Sequence, residues 1–193
     1  MTNVNAPFGL RPVRHSRGGV IRASEYTIAD QYGTSLFTGD PVKETGTGKN
    51  IGIASAGASN KITGIFAGCE YVDALGETKF SKYWPASTVT KSGTTVKALV
   101  YDDPDIEFEV QFDTLAAADV RALANLASGA GNTVTGLSGW TGVAPPGSTE
   151  NQVKIMDVPP VIGANGVTNA YGTYAVAAVL ISQHVLGPAL TSV

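Results

Sequence analysis

Four carboxylates crowd one short stretch of this chain, Asp102, Asp103, Asp105 and Glu107, and Glu109 follows two residues later. Oxygen-rich turns of this kind can hold calcium. The spacing fits no calcium loop, because there is no Asp-x-Asp-x-Asp-Gly run and no Glu at a twelfth position, which favours an exposed acidic turn and a polar sheet face. Paired acids can also cleave glycosides, but that chemistry needs one carboxyl in an apolar pocket, which acids along an exposed edge lack. The other reactive side chains are few: His15 and His184 are the two histidines and Cys69 is the one cysteine. That set cannot build structural zinc, and it leaves a triad only one ordered base, His184. Gly136-Leu137-Ser138-Gly139 falls one residue short of a nucleophile elbow. Gly46-Thr47-Gly48-Lys49 has the wrong spacing for a phosphate loop, with Asn50 where Ser or Thr would bind magnesium, and Gly129-Ala130-Gly131 runs on to Val134 where a dinucleotide motif wants glycine. Cys69 reads as a buried small apolar residue rather than a reactive thiol. Neither a cofactor nor an enzymatic activity is expected. Tyr83, Trp84 and Trp140 leave one alternative, a flat aromatic platform for sugar rings, against their commoner use as packing plugs or interface anchors.

The elements that would carry these residues are mostly strands. Ile106, Phe108, Val110 and Phe112 alternate with Glu107, Glu109, Gln111 and Asp113, the period of a half-buried strand with one core face and one wet face. Asp103-Pro104-Asp105 has the chemistry of a type I turn, so Thr95 to Tyr101 reads as the returning strand of a hairpin. Further strands are expected at Glu25–Ala29, Val42–Glu44, Ile51–Ala54, Lys61–Val72, Gln152–Val158 and Thr173–Val185, with Gly64 and Gly68 marking a bulge or a close approach. The central run of the last strand barely alternates, which implies burial on both faces or against a neighbouring subunit. Thr114 to Ala127 is rich in Ala and Leu and predicts a helix that Gly129 would stop. A competing reading keeps one turn at Leu115–Ala118 and makes Ala122–Leu126 a strand. Ser128–Thr149, which contains Trp140, and Pro159–Gly172 read as loops.

Short strands between frequent turn signals predict a mainly β fold, an antiparallel β-sandwich or barrel-like body with one short helix and long Gly/Thr-rich loops. Residues 1–22, broken by Pro7, Gly9, Pro12, Gly18 and Gly19, read as an extended arm, and residues 23–193 as a single β-rich domain. The first nine residues are polar and lack the apolar core of a signal peptide. The longest apolar stretch, Ala175–Ile181, is too short to span a membrane. A net charge of −3 gives no electrostatic case for nucleic acid. Its distribution is lopsided: the arm holds Arg11, Arg14, Arg17 and Arg22 and no acid, leaving nine basic side chains against sixteen acidic ones in the rest. A basic arm ahead of an acidic body asks for a partner.

Several stretches, in order along the chain, carry a resemblance to a known family. They are Ala6-Pro7-Phe8-Gly9-Leu10-Arg11-Pro12 with Arg14-His15, Leu36-Phe37-Thr38-Gly39-Asp40-Pro41-Val42, Ile62-Thr63-Gly64-Ile65, Asp102-Asp103-Pro104-Asp105-Ile106-Glu107-Phe108-Glu109, Ala118-Asp119-Val120 with Asn125-Leu126, Thr135-Gly136-Leu137-Ser138-Gly139, and the closing strand through His184. In these the chain resembles the head decoration, or capsid cement, proteins of tailed bacteriophages. The resemblance implies a structural protein without cofactor that binds the outer surface of an icosahedral shell. Its partners would be the major capsid protein and neighbouring copies of itself, as a homotrimer at three-fold positions. It would be made in the host bacterial cytoplasm and reside on the virion exterior. The resemblance also implies a strand around Asn125. Candidate interface residues are Phe8, Arg11, Arg14, Arg17 and Arg22 on the arm, and Glu107 and Glu109, whose carboxylates would face a basic neighbour such as another copy's arm. Extended arms bury area with few residues but lose entropy on ordering. Alternatives are another phage head or tail component, a carbohydrate-binding β-module, and, least favoured, a small hydrolase using His184.

Overall fold

The alternating stretches do form strands. The computed structural model describes residues 3–46, 48–143, 151–162 and 166–188. In chain order the elements are β1 (Arg11–His15), β2 (Ser24–Ile28), β3 (Leu36–Phe37), β4 (Pro41–Glu44), β5 (Ile51–Ile53), β6 (Gly64–Val72), β7 (Thr78–Ser81), β8 (Tyr83–Trp84), β9 (Val96–Tyr101), β10 (Ile106–Gln111), β11 (Thr114–Leu115), a 3-10 turn (Ala117–Asp119), β12 (Leu123–Ala127), β13 (Thr141–Val143), β14 (Val153–Asp157), β15 (Gly172–Thr173) and β16 (Val176–Ile181). Residues 1–2 of the arm, residue 47 of the glycine run, and residues 144–149 and 163–165 of the two expected loops lie outside the described residues.

Two six-stranded antiparallel sheets form a mainly β, sandwich-like body. The first has the order β1-β10-β16-β14-β12-β13; the second has β2-β9-β6-β4-β5, with β7 also on β6. Each sheet buries its own set of apolar side chains. Phe108, Val110, Phe112, Trp140, Ile155 and Val179 fill one, and Phe66, Trp84, Val96, Ala98 and Val100 the other, with Ile53 packed against both. Burial of each Val, Ile or Phe side chain among these contributes about 1.5–3 kcal/mol. Strand β16 sits between β10 and β14, so both its edges are paired and most of its residues are buried, which accounts for its weak alternation. Gly68 lies at a register shift between β6 and β9, as its place in a strand pattern suggested.

Three expectations are corrected. Strands β9 and β10 are not a hairpin: β9 pairs with β2 and β6, and β10 with β1 and β16. The Asp103–Ile106 turn does form, with the Ile106 N–H donating to the Asp103 carbonyl at 3.2 Å. It carries the chain from one sheet to the other. The long helix is absent from 114–127, where one 3-10 turn and a strand appear instead, in agreement with the competing reading. Strand β12 pairs with β13 and β14, and those cross-strand bonds override the helix propensity of its alanines. Gly129 is no helix stop; a Cβ there would strike the carbonyl oxygen of Gly139, so it marks a close backbone crossing. Finally, Trp84 and Trp140 are buried in the two cores, which removes the sugar platform, while Tyr83 stacks on Phe37 at 5.3 Å.

Candidate functional site

The face of β10 that its sequence marks as wet is covered. Glu107 and Glu109 are each 4% exposed, and all six residues of the strand are buried. They are flanked by β16 on one side, with Leu180 opposite Glu107 and Ala178 opposite Glu109, and by the chain's own N-terminal arm on the other. Strand β1 lies antiparallel on β10 with Arg11 opposite Glu109, Pro12 opposite Phe108, Arg14 opposite Glu107 and His15 opposite Ile106. Between Pro12 and Arg14 the register shifts, which leaves Val13 as the extra residue of a bulge. The bulge solves a mismatch of periods. The arginines recur every three residues and the acids every two, so in a regular ladder Arg14 would fall on the opposite face from Arg11.

The result is a ladder of polar grips along the arm. Gln111 donates through Nε2 to the Val4 carbonyl at 2.8 Å and accepts the Ala6 N–H at 2.9 Å on Oε1. Arg11 Nη2 meets Glu109 Oε2, with its guanidinium 4.8 Å from the centre of the Phe8 ring. Arg14 Nε donates to Glu107 Oε2 at 2.8 Å, and Arg17 Nε pairs with Asp105 Oδ1 at 3.1 Å. His15 Nδ1 accepts the Arg17 N–H at 3.2 Å, which leaves Nε2 to donate to Asp103 Oδ2 at 3.1 Å. Every second residue from Asp103 to Gln111 therefore holds the arm. Arg22 is exposed and takes no part.

The acidic turn completes the clamp. Asp102 accepts hydrogen bonds from Ser24 Oγ at 2.7 Å and Tyr26 Oη at 3.0 Å, which fixes the start of β2. Burial, reinforced by the bond to Asp102, pushes the Tyr26 hydroxyl up to about 12. Asp103 Oδ1 also accepts the Asp105 N–H at 2.9 Å, closing an Asx turn. The carboxylates that the sequence groups as a possible calcium site are thus drawn apart, each to a different side chain. His15, Asp103 and Asp105 do bring ligand atoms within 4.8 Å of one another, but His15 is paired with Asp103 and Asp105 with Arg17.

Above the ladder, three distant stretches meet at one junction. Gly9 adopts φ +72°, and the Leu10 N–H donates to the Gly39 carbonyl at 2.9 Å. Thr38 donates its N–H to the Gly136 carbonyl at 3.0 Å and accepts that of Ser138 at 2.9 Å. Leu10 is buried among the residues of the first core, so the arm is anchored by an apolar plug as well as by charge. Asp40 is buried here, takes the Phe37 N–H at 2.8 Å and is bonded by the Ser138 hydroxyl; burial outweighs both bonds and raises its pKa to about 6. Ser138 Oγ accepts the Trp140 N–H at 3.0 Å, so the hydroxyl that the elbow-like motif suggested is a structural link. His184 is buried and accepts the Leu186 N–H on Nδ1 at 3.0 Å; burial lowers its pKa against the opposing pull of Asp102 and Asp103. No hydrogen bond joins it to Ser138, so the structure does not assemble a nucleophile and base from that pair. Cys69 is buried as expected, with its thiol pushed up to about 12 by burial.

The residues that the sequence offers as an interface, Glu107, Glu109, Arg11, Arg14 and Arg17, are brought together within the single chain, where the two glutamates pair with Arg11 and Arg14 and Arg17 with Asp105. Gln111, Asp102, Asp103 and Asp105 belong to the same device; Gln111 continues the two-residue period and could have been found from it. Among the described residues no helix is long and apolar enough to cross a membrane. Comparison with protein families, with curated proteins and with solved structures finds no match to this chain.

Proposed function

We propose that this chain is a non-enzymatic structural protein that binds the outer surface of an assembled icosahedral phage capsid and stabilises it. The observation that carries the reading is the convergence on the arm. The stretches around residues 6–15, 36–42, 102–109 and 135–139, by which the chain resembles decoration proteins, come together to seat one basic strand. What they share is a mechanical arrangement rather than a chemical one, as a binding protein requires. Exposed apolar side chains support an interaction role: Leu75 is 88% and Phe80 79% exposed in the β6–β7 hairpin. The partners would be the major capsid protein and further copies of this chain, with a trimer as the assembly. The purified chain, added to expanded capsids that lack it, should bind and raise their disruption temperature. Lack of binding, or binding without stabilisation, would remove this reading, and labelled chain found on tails would favour a tail component.

A further inference from the structure

We infer that the groove on β10 is an exchange site, which takes the arm of a second copy of this chain in place of its own when copies are crowded together. The groove dictates the chemistry of its occupant. A strand lying there must carry cations opposite Glu109 and Glu107 and a bulge between them, so that a three-residue spacing meets a two-residue one. The arm itself has that pattern, and every copy presents one. Charge complementarity therefore names the occupant.

The tether permits the change. Residues 16–23 join β1 to β2, yet their two ends are fastened to adjoining residues of a single turn, His15 to Asp103 and Ser24 to Asp102. Eight residues can span about 26 Å when extended, so the loop is far longer than its present task needs. Its middle is Gly18, Gly19 and Val20; Gly18 has no atom within 4 Å of a Cβ position and Val20 is 71% exposed, whereas Gly19 lies against the ring of His15 and Ile21 packs on the first core. The arm can leave in another direction while Asp102 keeps β2 in place. As β1 is an edge strand paired on one side, its departure leaves the other five strands of the sheet hydrogen-bonded.

Exchange replaces each arm contact by an identical one, so the balance is set by association entropy against local concentration. A dilute chain closes on itself; copies held side by side at about millimolar effective concentration trade arms. The inference rests on the decoration reading only for its setting, a shell on which copies are neighbours.

The test uses the full chain without shells. One variant carries Arg11→Glu and Arg14→Glu, the other Glu107→Arg and Glu109→Arg. Each alone sets like charges against each other in its own groove, and a one-to-one mixture restores complementary pairs only between chains. Sedimentation should show heterodimers in the concentrated mixture and monomers in either variant alone. A mixture that stays monomeric at millimolar concentration overturns the proposal. Should the reversed groove fail to fold, Ser16→Cys with Asp105→Cys decides: these residues are joined by a backbone hydrogen bond of 2.8 Å. Oxidation should give intrachain crosslinks in micromolar solution and mostly interchain ones at millimolar concentration. Intrachain product at every concentration overturns the exchange. Because shells are absent, its failure leaves the capsid-binding experiment intact, and the reverse.

Discussion

A Cβ on Gly9 would lie 2.5 Å from the Cβ of Ser138, and equally close to the carbonyl oxygen of Gly39. With φ at +72° as well, the position penalises any side chain twice. Gly9→Ala should destabilise the protein by about 2–4 kcal/mol, from left-handed backbone strain together with overpacking. Urea unfolding measures it. A midpoint that does not move would mean that the arm is not wedged at this junction.

The Arg14–Glu107 pair is lopsided, with the arginine side chain 65% exposed and the glutamate 5%. Arg14→Ala should therefore cost more than an ordinary surface pair, about 1–3 kcal/mol, because it strands a carboxylate that the arm still covers. Adding Glu107→Gln should return much of that loss. A double-mutant cycle with coupling near zero would show that the two side chains do not act as a pair.

Asp40 sets one part of the pH response. Its folded pKa of about 6 lies above the ordinary carboxylate value of 3.8, so the folded state holds this proton more tightly than the unfolded chain. The stabilisation is complete below about pH 4, declines as pH rises, and is gone above about pH 6, a swing of about 3 kcal/mol. Stability curves of the parent and of Asp40→Asn should differ by a falling limb between those limits. Parallel curves would place Asp40 in a more solvated setting than the junction provides.

Cys69 should be inert in the folded protein, being buried with its thiol raised to about 12. Labelling by a thiol reagent should proceed at the rate of global opening and accelerate with denaturant as unfolding does. Fast labelling in native buffer would show that β6 opens locally.

Most strands were legible because their signals are local. The alternation of Ile106 to Phe112 and the apolar density of Val176 to Ile181 survive in any tertiary setting. Pairing was not legible. Asp103-Pro104-Asp105 specifies a turn but not which sheet each flank joins, and a turn between sheets has the same local chemistry as a hairpin turn. The burial of the second face of β10 is not legible for a related reason: one of its two flanking strands, β1, lies about ninety residues away, as the Arg14–Glu107 separation of 93 shows. Because the arginines and the acids follow different periods, no simple strand pattern links the two segments. The bulge at Val13 reconciles them, and Val13 carries no turn signal. The Ala-rich 114–127 stretch failed in the opposite direction, since good local propensity yielded to neighbours on both edges of β12.

The turn between β9 and β10 also has a mechanical consequence. Because β1 runs antiparallel along β10, a pull on the arm along its own axis loads the hydrogen bonds of that ladder side by side, in shear, rather than peeling them one at a time. At the far end of the ladder the load meets Asp103 and Asp105, which sit on the same short turn as Asp102 and its bonds to β2. Tension entering through one edge strand is thereby divided between both sheets, and the acidic turn serves as the rivet that divides it.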